Sequence, residues 1–132
     1  MYIDSSAIIS ILTNEPDAAK LARTIDTTPN PITSPIAVVE ATLGLRRQFD
    51  LTADRAEGHV SRFLAAAGIE IVPILARDAA AALDAFRRFG KDHGHPDGLN
   101  MAGCFAYAVA RNRGRLLLHT GDAFGKTDIE SG

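Results

Sequence analysis

The sequence predicts an α/β protein, a three-layer α/β/α sandwich with a central parallel sheet. Short apolar segments with strand character recur along the chain, and each is followed by one helix or by a pair of helices. Strands separated in this way pair in parallel through right-handed crossovers. Of the 132 residues, 46% are hydrophobic and 23% are charged, which is an ordinary balance for one globular domain spanning residues 1–132.

The first part of the chain predicts two strands and three helices. "MYID" is a short apolar strand that ends at Asp4, and the serines after it can cap the helix "AIISILTNE", which ends before Pro16. The apolar residues of "PDAAKLARTIDTT" have helical spacing, and a short strand at Ile32–Thr33 follows. Ser34 as N-cap and Pro35 at the first helical position then begin the helix "SPIAVVEATLGLRRQF".

The remainder of the chain continues the alternation of helices and strands. "TADRAEGHVSRFLAAAG" is predicted to be helical, and "IEIVPIL" suits a strand buried in a parallel sheet. "ARDAAAALDAFRRFG" is an alanine-rich helix ended by Gly90, and "KDHGHPDG" is a loop. A helix over Gly98–Ala110 precedes the strand in "RLLLHTGDAF", whereas the final "GKTDIESG" predicts no regular element.

Composition excludes several classes of protein. The net charge of −2 provides no global basic field for nucleic acid, and clusters such as Arg46–Arg47 are typical either of solvated helix faces or of a phosphate-binding track. The single Cys104 excludes a disulfide framework and favours a small buried residue. The N-terminus lacks the basic region of a signal peptide, and the apolar stretch Leu99–Ala110 is too short to cross a bilayer. We therefore expect a cytoplasmic protein with no membrane partner.

Two acidic residues follow predicted strands. Asp4 ends the first strand, and Asp122 comes after the last one, preceded by Thr120 and Gly121. Ligand sites of such sheets lie at the carboxyl ends of the strands, near a topological switch point. Asp4 is either a cap of the first helix or a metal ligand or nucleophile, and the hydroxyl of Ser6 could support its carboxylate. Asp122 has the alternative role of a turn residue.

Glu40 is a third acid in an unusual place. Its neighbours on one helix face are all apolar or small: Ile36, Ala37, Leu43 and Gly44. An acid in that stripe is costly to desolvate unless it is paired or binds a cation. Arg47, two turns further along, could form a structural ion pair with it, and the alternative is a metal or substrate role. Together, Asp4, Glu40 and Asp122 predict an oxygen-ligand site for Mg²⁺ or Mn²⁺, since no cysteine cluster favours zinc.

Four blocks carry a family resemblance. "MYIDSSAIISIL", "SPIAVVEATLGL", "HPDGLNMAGCFAYAVA" and "LLLHTGDAFGKTDI" occur in that order and cover essentially the whole chain. In these blocks the sequence resembles PIN-domain ribonucleases, specifically the VapC-type toxins of toxin–antitoxin pairs. The resemblance implies a PIN fold, RNA cleavage dependent on Mg²⁺ or Mn²⁺, a VapB-like antitoxin partner and a homodimer. It also implies that Asp4 is the first acid of the site and Glu40 the second.

The third and fourth blocks depart from the family pattern. Relatives read leucine-asparagine-x-glycine-aspartate-cysteine where this chain has Gly103 before Cys104, so a glycine stands at the position of the third acid. Family members often carry an acid directly before the phenylalanine of the last block, where this chain has Ala123. Asp122 is then the best remaining match for the fourth acid, and Asp97 is an unconvincing substitute for the third.

Gly103 therefore has two explanations. Alanine would suit a helix interior better by roughly 1 kcal/mol, so the glycine either admits a neighbouring helix or marks a vacated metal-ligand position. On the predicted helix it shares an inward face with residues such as Leu99 and Ala106. If the position is vacated, we expect a VapC-like ribonuclease with low or no activity.

Two alternatives of other classes stay open at this point. One is a catalytically silent module that binds an antitoxin or RNA without cutting, and the other is an aspartyl-phosphate enzyme using Asp4, although "DSS" lacks a second acid two residues on. Clustered arginines, with Lys20 or Lys126, would neutralise RNA phosphates beside the site. The helices "DAAKLARTI" and "ADRAEGHVSRFLAAAG" carry excess apolar residues, which predicts that they receive the antitoxin or a second protomer.

Overall fold

The fold is built on four short parallel strands that lie in the order β3-β2-β1-β4. The computed structural model describes residues 1–91, 98–125 and 127–132. The strands are β1 (Tyr2–Ile3), β2 (Ile32–Thr33), β3 (Glu70–Ile71) and β4 (Leu117–Leu118). The helices are α1 (Ser5–Leu12), α2 (Ala18–Asp26), α3 (Pro35–Phe49), α4 (Ala53–Ala67), α5 (Ala76–Phe89) and α6 (Met101–Asn112). The predicted α/β/α sandwich with a parallel sheet is confirmed.

Successive residues of each central strand face opposite sides of the sheet. Tyr2 and Leu117 lie in the core cluster that α5 and α6 cover, whereas Ile3 and Leu118 lie in the cluster covered by α1 to α4. This follows from the two-residue period of a strand. Helices on both faces bury the sheet, as a parallel sheet requires.

The helix boundaries follow the capping signals in the sequence. Ser34 caps α3 by accepting a hydrogen bond from the Ala37 N–H at 3.4 Å, and Pro35 occupies the first turn. Asn100 caps α6 by accepting a hydrogen bond from the Gly103 N–H at 2.8 Å. Most of the predicted loop "KDHGHPDG" lies outside the described residues.

Two expectations for the sheet and its edges were wrong. "IEIVPIL" was expected to be a buried strand, yet β3 is the outermost strand, pairs only with β2 and leaves Ile71 48% exposed. The C-terminal segment was expected to have no regular element, yet Ser131 forms a parallel bridge with Leu117. Asp128 anchors that segment, since its carboxylate accepts hydrogen bonds from Arg88 and Tyr107.

Asp78 ties α5 to the end of α6. Its fully buried carboxylate accepts hydrogen bonds from the Leu75 N–H at 2.8 Å, from Asn112 Nδ2 at 2.9 Å and from Arg113 Nη1 at 3.3 Å. The ion pair with Arg113 is the most buried of those in the described residues. This network fixes the helix pair that carries Gly103. No helix in the described part of the chain is long and apolar enough to cross a membrane.

Asp78→Ala is expected to lower the free energy of unfolding by about 3 to 5 kcal/mol, because it leaves buried donors and a cation without their acceptor. Asp84 offers a matched control on the same helix, since it is half exposed and pairs with Arg88 at 3.6 Å. Asp84→Ala should cost less than about 1 kcal/mol. Urea unfolding of the three proteins tests this, and equal losses for both variants would contradict the role given to Asp78.

Candidate active site at the sheet switch point

The candidate site lies where the order of the strands reverses. The chain adds β2 and then β3 on one side of β1, and it returns to place β4 on the other side. The crevice between the carboxyl ends of β1 and β4 is therefore the topological switch point, where open α/β sheets bind ligands. A cavity of about 330 Å³ opens there, and Asp4, Glu40 and Gly103 are among its lining residues.

Asp4 follows β1 directly, and its predicted role as a cap is confirmed, whereas its role as a metal ligand or nucleophile stays a prediction. Its backbone N–H donates to the Leu118 carbonyl at 3.0 Å, which fixes it beside β4. Its carboxylate caps α1 by accepting a hydrogen bond from the Ser6 N–H at 3.0 Å, and it also lines the cavity. Burial raises the pKa of this carboxyl, the hydrogen bonds from Ser6 lower it in part, and the nearby Glu40 raises it further.

Glu40 reaches the cavity from α3. One of its carboxylate oxygens accepts a hydrogen bond from Ser5 Oγ, and the other accepts one from Asn100 Nδ2 at 3.5 Å. The alternative of an ion pair with Arg47 is not formed within 4.0 Å, although Arg47 also lines the cavity. A hydroxyl and an amide, rather than a cation, therefore hold this half-buried acid in place.

Gly103 is buried and lines the cavity, so its predicted inward placement is confirmed. It occupies the third position of α6, after the cap Asn100. A Cβ at Gly103 would meet Asn100 Oδ1 at 3.2 Å and Leu99 Cδ2 at 3.3 Å, which are its nearest neighbours. These contacts are tight, so a side chain at position 103 requires Leu99 or Asn100 to shift by a few tenths of an ångström. Both residues lie directly before α6, so the closest approach does not come from a neighbouring helix.

The structure does not bring Asp122 to the cavity. The Asp122 side chain is exposed, whereas the next two residues, Ala123 and Phe124, line the cavity. The turn explains this difference: Gly121 adopts φ 84°, and the Gly125 N–H closes on the Asp122 carbonyl at 3.1 Å. Adjacent side chains diverge in such a turn, so the residue that lines the cavity with Asp4 and Glu40 is an alanine.

The supporting residues Ser6 and Thr120 both line the cavity. The Thr120 N–H donates to Ser6 Oγ at 3.1 Å, which joins α1 to the end of β4. Sequence reasoning missed two further lining residues, Asn100 and Lys91. The position of Asn100 just before an apolar helical run is a capping signal that could have identified it. Lys91 carries no comparable signal.

Other expected residues lie elsewhere. Lys20 is on the exposed side of α2 and does not line the cavity, and Lys126 and Asp97 are outside the described residues. Cys104 is buried as expected, and burial raises the pKa of its thiol.

The donor set fits a divalent cation only weakly. Asp4 and Glu40 are two carboxylates in one cavity, and Mg²⁺ can be held through one or two carboxylates with several waters. Among the described residues, however, no three acids, histidines or cysteines come close enough to form a metal cluster. The cavity thus supplies two anionic ligands for a hydrated cation, and Gly103 and Ala123 supply none.

The family assignment rests on matches along almost the entire chain. The PIN domain family matches residues 1–130. The chain is 36% identical over 129 residues to Ribonuclease VapC of Mycolicibacterium smegmatis, covering 98% of this chain and 97% of that protein. The chain belongs to the PIN-domain family. It is also 35% identical over 130 residues to Ribonuclease VapC28 of Mycobacterium tuberculosis, covering 98% of this chain and 96% of that protein, so its relatives are VapC ribonucleases.

Solved structures agree on the PIN fold. The Sarcin-Ricin loop cleaving toxin VapC20 of Mycobacterium tuberculosis has a TM-score of 0.76 at 15% identity, covering 99% of this chain and 97% of that one. VapBC2 of Rickettsia felis, solved bound to a DNA fragment from its promoter, has a TM-score of 0.72 at 10% identity, covering 98% and 94%. At these identities the likeness shows the fold.

Asp4→Asn is expected to raise the melting temperature at pH 7 in EDTA, because asparagine caps a helix as well as aspartate and removes a desolvated charge. The raised pKa means that the folded protein binds this proton more tightly than the unfolded chain does. Its unfolding free energy therefore falls as the pH rises from the ordinary aspartate range through the raised value.

The gain from Asp4→Asn should accordingly disappear below about pH 4, where the carboxyl is protonated in both states. Calorimetric melts at pH 7 and below pH 4 test this, with the exposed Glu57→Gln as the control for a general change of charge. A variant that melts lower than the wild type at pH 7 would show that the Asp4 charge is compensated in the fold.

Proposed function

We propose that this chain is a VapC-type toxin, an RNA-cleaving enzyme with impaired activity. The activity is impaired because two acid positions of its site, 103 and 123, carry no carboxylate. The observation that carries this proposal is the composition of the cavity at the switch point. Asp4 and Glu40 face each other there, while Gly103 and Ala123 complete the lining without a ligand atom. The relatives named VapC ribonuclease support RNA as the substrate and hydrolysis of phosphodiester bonds as the reaction.

Asp4 and Glu40 would hold Mg²⁺ or Mn²⁺ in this site. When bound, the cation stabilises negative charge that develops on a phosphodiester and provides a water of lowered pKa. The protein contributes orientation: the Ser6 N–H holds the Asp4 carboxylate, and Ser5 and Asn100 hold that of Glu40. With two carboxylates fewer, Asp4 and Glu40 would hold the cation weakly and would orient the reacting groups poorly, and misplacement of this kind costs about 10²-fold in rate.

The alternative proposal is a silent PIN-fold module that binds an antitoxin or RNA without cleavage. Gly103 and Ala123 support this alternative as well, since a metal site that lacks two carboxylate ligands can lose its catalytic activity altogether. The two proposals predict different activities. If the chain is an impaired enzyme, the wild type shows a measurable metal-dependent rate of RNA cleavage. Variants with aspartate at positions 103 and 123 are then more active.

An antitoxin and a second protomer are the proposed protein partners, and the cytoplasm, where RNA is available, is the proposed location. One structure of the same fold, from Klebsiella pneumoniae, is a toxin–antitoxin complex, which supports the antitoxin. On α2 and α4, where the docking surface was predicted, the large apolar side chains pack inward, while alanines such as Ala65 and Ala66 are exposed. Five large apolar side chains are exposed on α3, α5 and α6: Val39, Leu43, Phe49, Leu83 and Met101.

Gly103→Asp is expected to make metal-dependent RNA cleavage appear or increase by at least about tenfold, equivalent to about 1.4 kcal/mol of barrier, and Ala123→Asp should add to it. Without metal, Gly103→Asp should melt lower than the wild type, because a third carboxylate crowds Asp4 and Glu40. Added Mn²⁺ should restore its stability by mass action. Cleavage of a mixed RNA pool and thermal melts with and without Mn²⁺ measure both effects.

Gly103→Asn is the matched control, since it has the same size and no charge. It should share any steric cost at Leu99 and Asn100 but gain neither cleavage nor rescue by Mn²⁺. If Gly103→Asp and Gly103→Asn behave alike, the vacated-ligand explanation is wrong. If the double Asp variant still does not cut RNA and the wild type shows no metal-dependent rate, the silent module is the better proposal.

Met101→Glu is expected to convert a dimer into monomers at tens of micromolar, because Met101 is 70% exposed and a charge there would be buried against the second protomer. Leu116→Glu is the control, since Leu116 is 40% exposed and precedes β4 at the end of the sheet opposite the cavity. Sedimentation velocity distinguishes the species. A strictly monomeric wild type would contradict the homodimer.

A further inference from the structure

The cavity at the switch point contains cations as well as acids. Arg47, from α3, and Lys91, just after α5, line it together with Asp4 and Glu40. Lys91 is fixed at its backbone, where its N–H donates to the Leu99 carbonyl at 2.8 Å. Neither cation forms an ion pair within 4.0 Å with any acid in the described residues. The two charges are therefore available to an anion that enters the cavity.

The remaining lining also favours an anion. The first turns of α1, through Ser5 and Ser6, and of α6, through Gly103, line the cavity, and helix N-termini carry a partial positive charge. The hydroxyls of Ser5 and Ser6 and the amide of Asn100 add neutral polar groups. Glu40 is already engaged by Ser5 and Asn100, so part of its charge is compensated within the protein.

The formal charge of the lining depends on the two altered positions. Among the described lining residues there are two carboxylates and two cations, so their formal charges sum to zero. Aspartates at positions 103 and 123 would give it a formal charge of −2, and a phosphate would then be repelled until a divalent cation entered. Because Gly103 and Ala123 carry no charge, a phosphate does not need a divalent cation in order to enter the cavity.

We propose that this cavity binds a phosphate of single-stranded RNA directly, through Arg47 and Lys91, without a divalent cation. The substitutions that weaken metal binding thereby make metal-free binding of RNA possible. The choice of RNA as the ligand rests on the proposed function, whereas the binding mode rests on the charges of the cavity.

Fluorescence anisotropy with a labelled single-stranded RNA in EDTA tests the proposal. The wild type should bind, and Arg47→Gln and Lys91→Gln should each weaken binding by about fivefold to tenfold, since each removes one charged contact with phosphate. Each should also reduce the slope of log affinity against log salt by about 0.7. Arg55→Gln and Arg62→Gln, on exposed positions of α4 away from the cavity, are matched controls that should leave affinity nearly unchanged.

The double variant Gly103→Asp/Ala123→Asp provides the converse test. In EDTA it should bind the same RNA at least about tenfold more weakly than the wild type, and Mg²⁺ should restore binding to the variant while changing the wild type little. The Arg47 and Lys91 variants should keep the wild-type circular dichroism spectrum, because both residues are exposed. The double variant is compared at a temperature below its own melting transition.

Three results would overturn the proposal. The first is a wild type that binds RNA only when a divalent cation is present. The second is equal loss of affinity in the cavity variants and in the α4 controls. The third is a double variant that binds in EDTA as tightly as the wild type. Failure of the proposed enzymatic function is separate, because it is measured as absence of cleavage by the double variant in Mn²⁺ and leaves binding in EDTA unaffected.

Discussion

The site depends on the parallel pairing of β1 with β4. This pairing brings the ends of two segments that are more than a hundred residues apart to one edge, with Tyr2 opposite Leu117 and Ile3 opposite Leu118. One residue beyond that register, the Asp4 N–H bonds the Leu118 carbonyl, and the Thr120 N–H bonds Ser6 Oγ. A shift of one residue would turn Tyr2 and Ile3 to the wrong cores, so the register that the cores require also sets the position of Asp4.

That constraint creates an electrostatic cost at the site. Asp4 is 5% exposed and lies near Glu40, and burial together with this neighbour raises the pKa of Asp4. The Ser6 N–H, Ser5 Oγ and Asn100 Nδ2 supply hydrogen bonds that offset part of the cost. Two close carboxylates of this kind are typical of a functional site, where a bound cation or substrate compensates for their mutual repulsion. In this chain Arg47 and Lys91 stand at the same cavity.

Much of this arrangement could be predicted from the sequence, because it follows from periodicity and capping. The strand ends indicated Asp4, which lines the cavity, and Asp122, which does not. The apolar face of α3 indicated Glu40, and helical spacing placed Gly103 inward. Features without periodicity were harder to predict. Asp122 and Ala123 are adjacent in a turn, and only the observed geometry shows which one faces the cavity. The exposure of β3 depends on strand order, and the C-terminal pairing depends on one bridge and the anchor at Asp128.

The central claim is that Gly103 and Ala123 leave the metal site short of ligands while the rest of the site stays in place. Calorimetric titration of Mn²⁺ into the wild type and into Gly103→Asp/Ala123→Asp, without RNA, tests this most directly. The account predicts one site of at least about tenfold higher affinity in the double variant, and its loss when Asp4→Asn is added. Equal Mn²⁺ affinity in the wild type and the double variant would contradict the account.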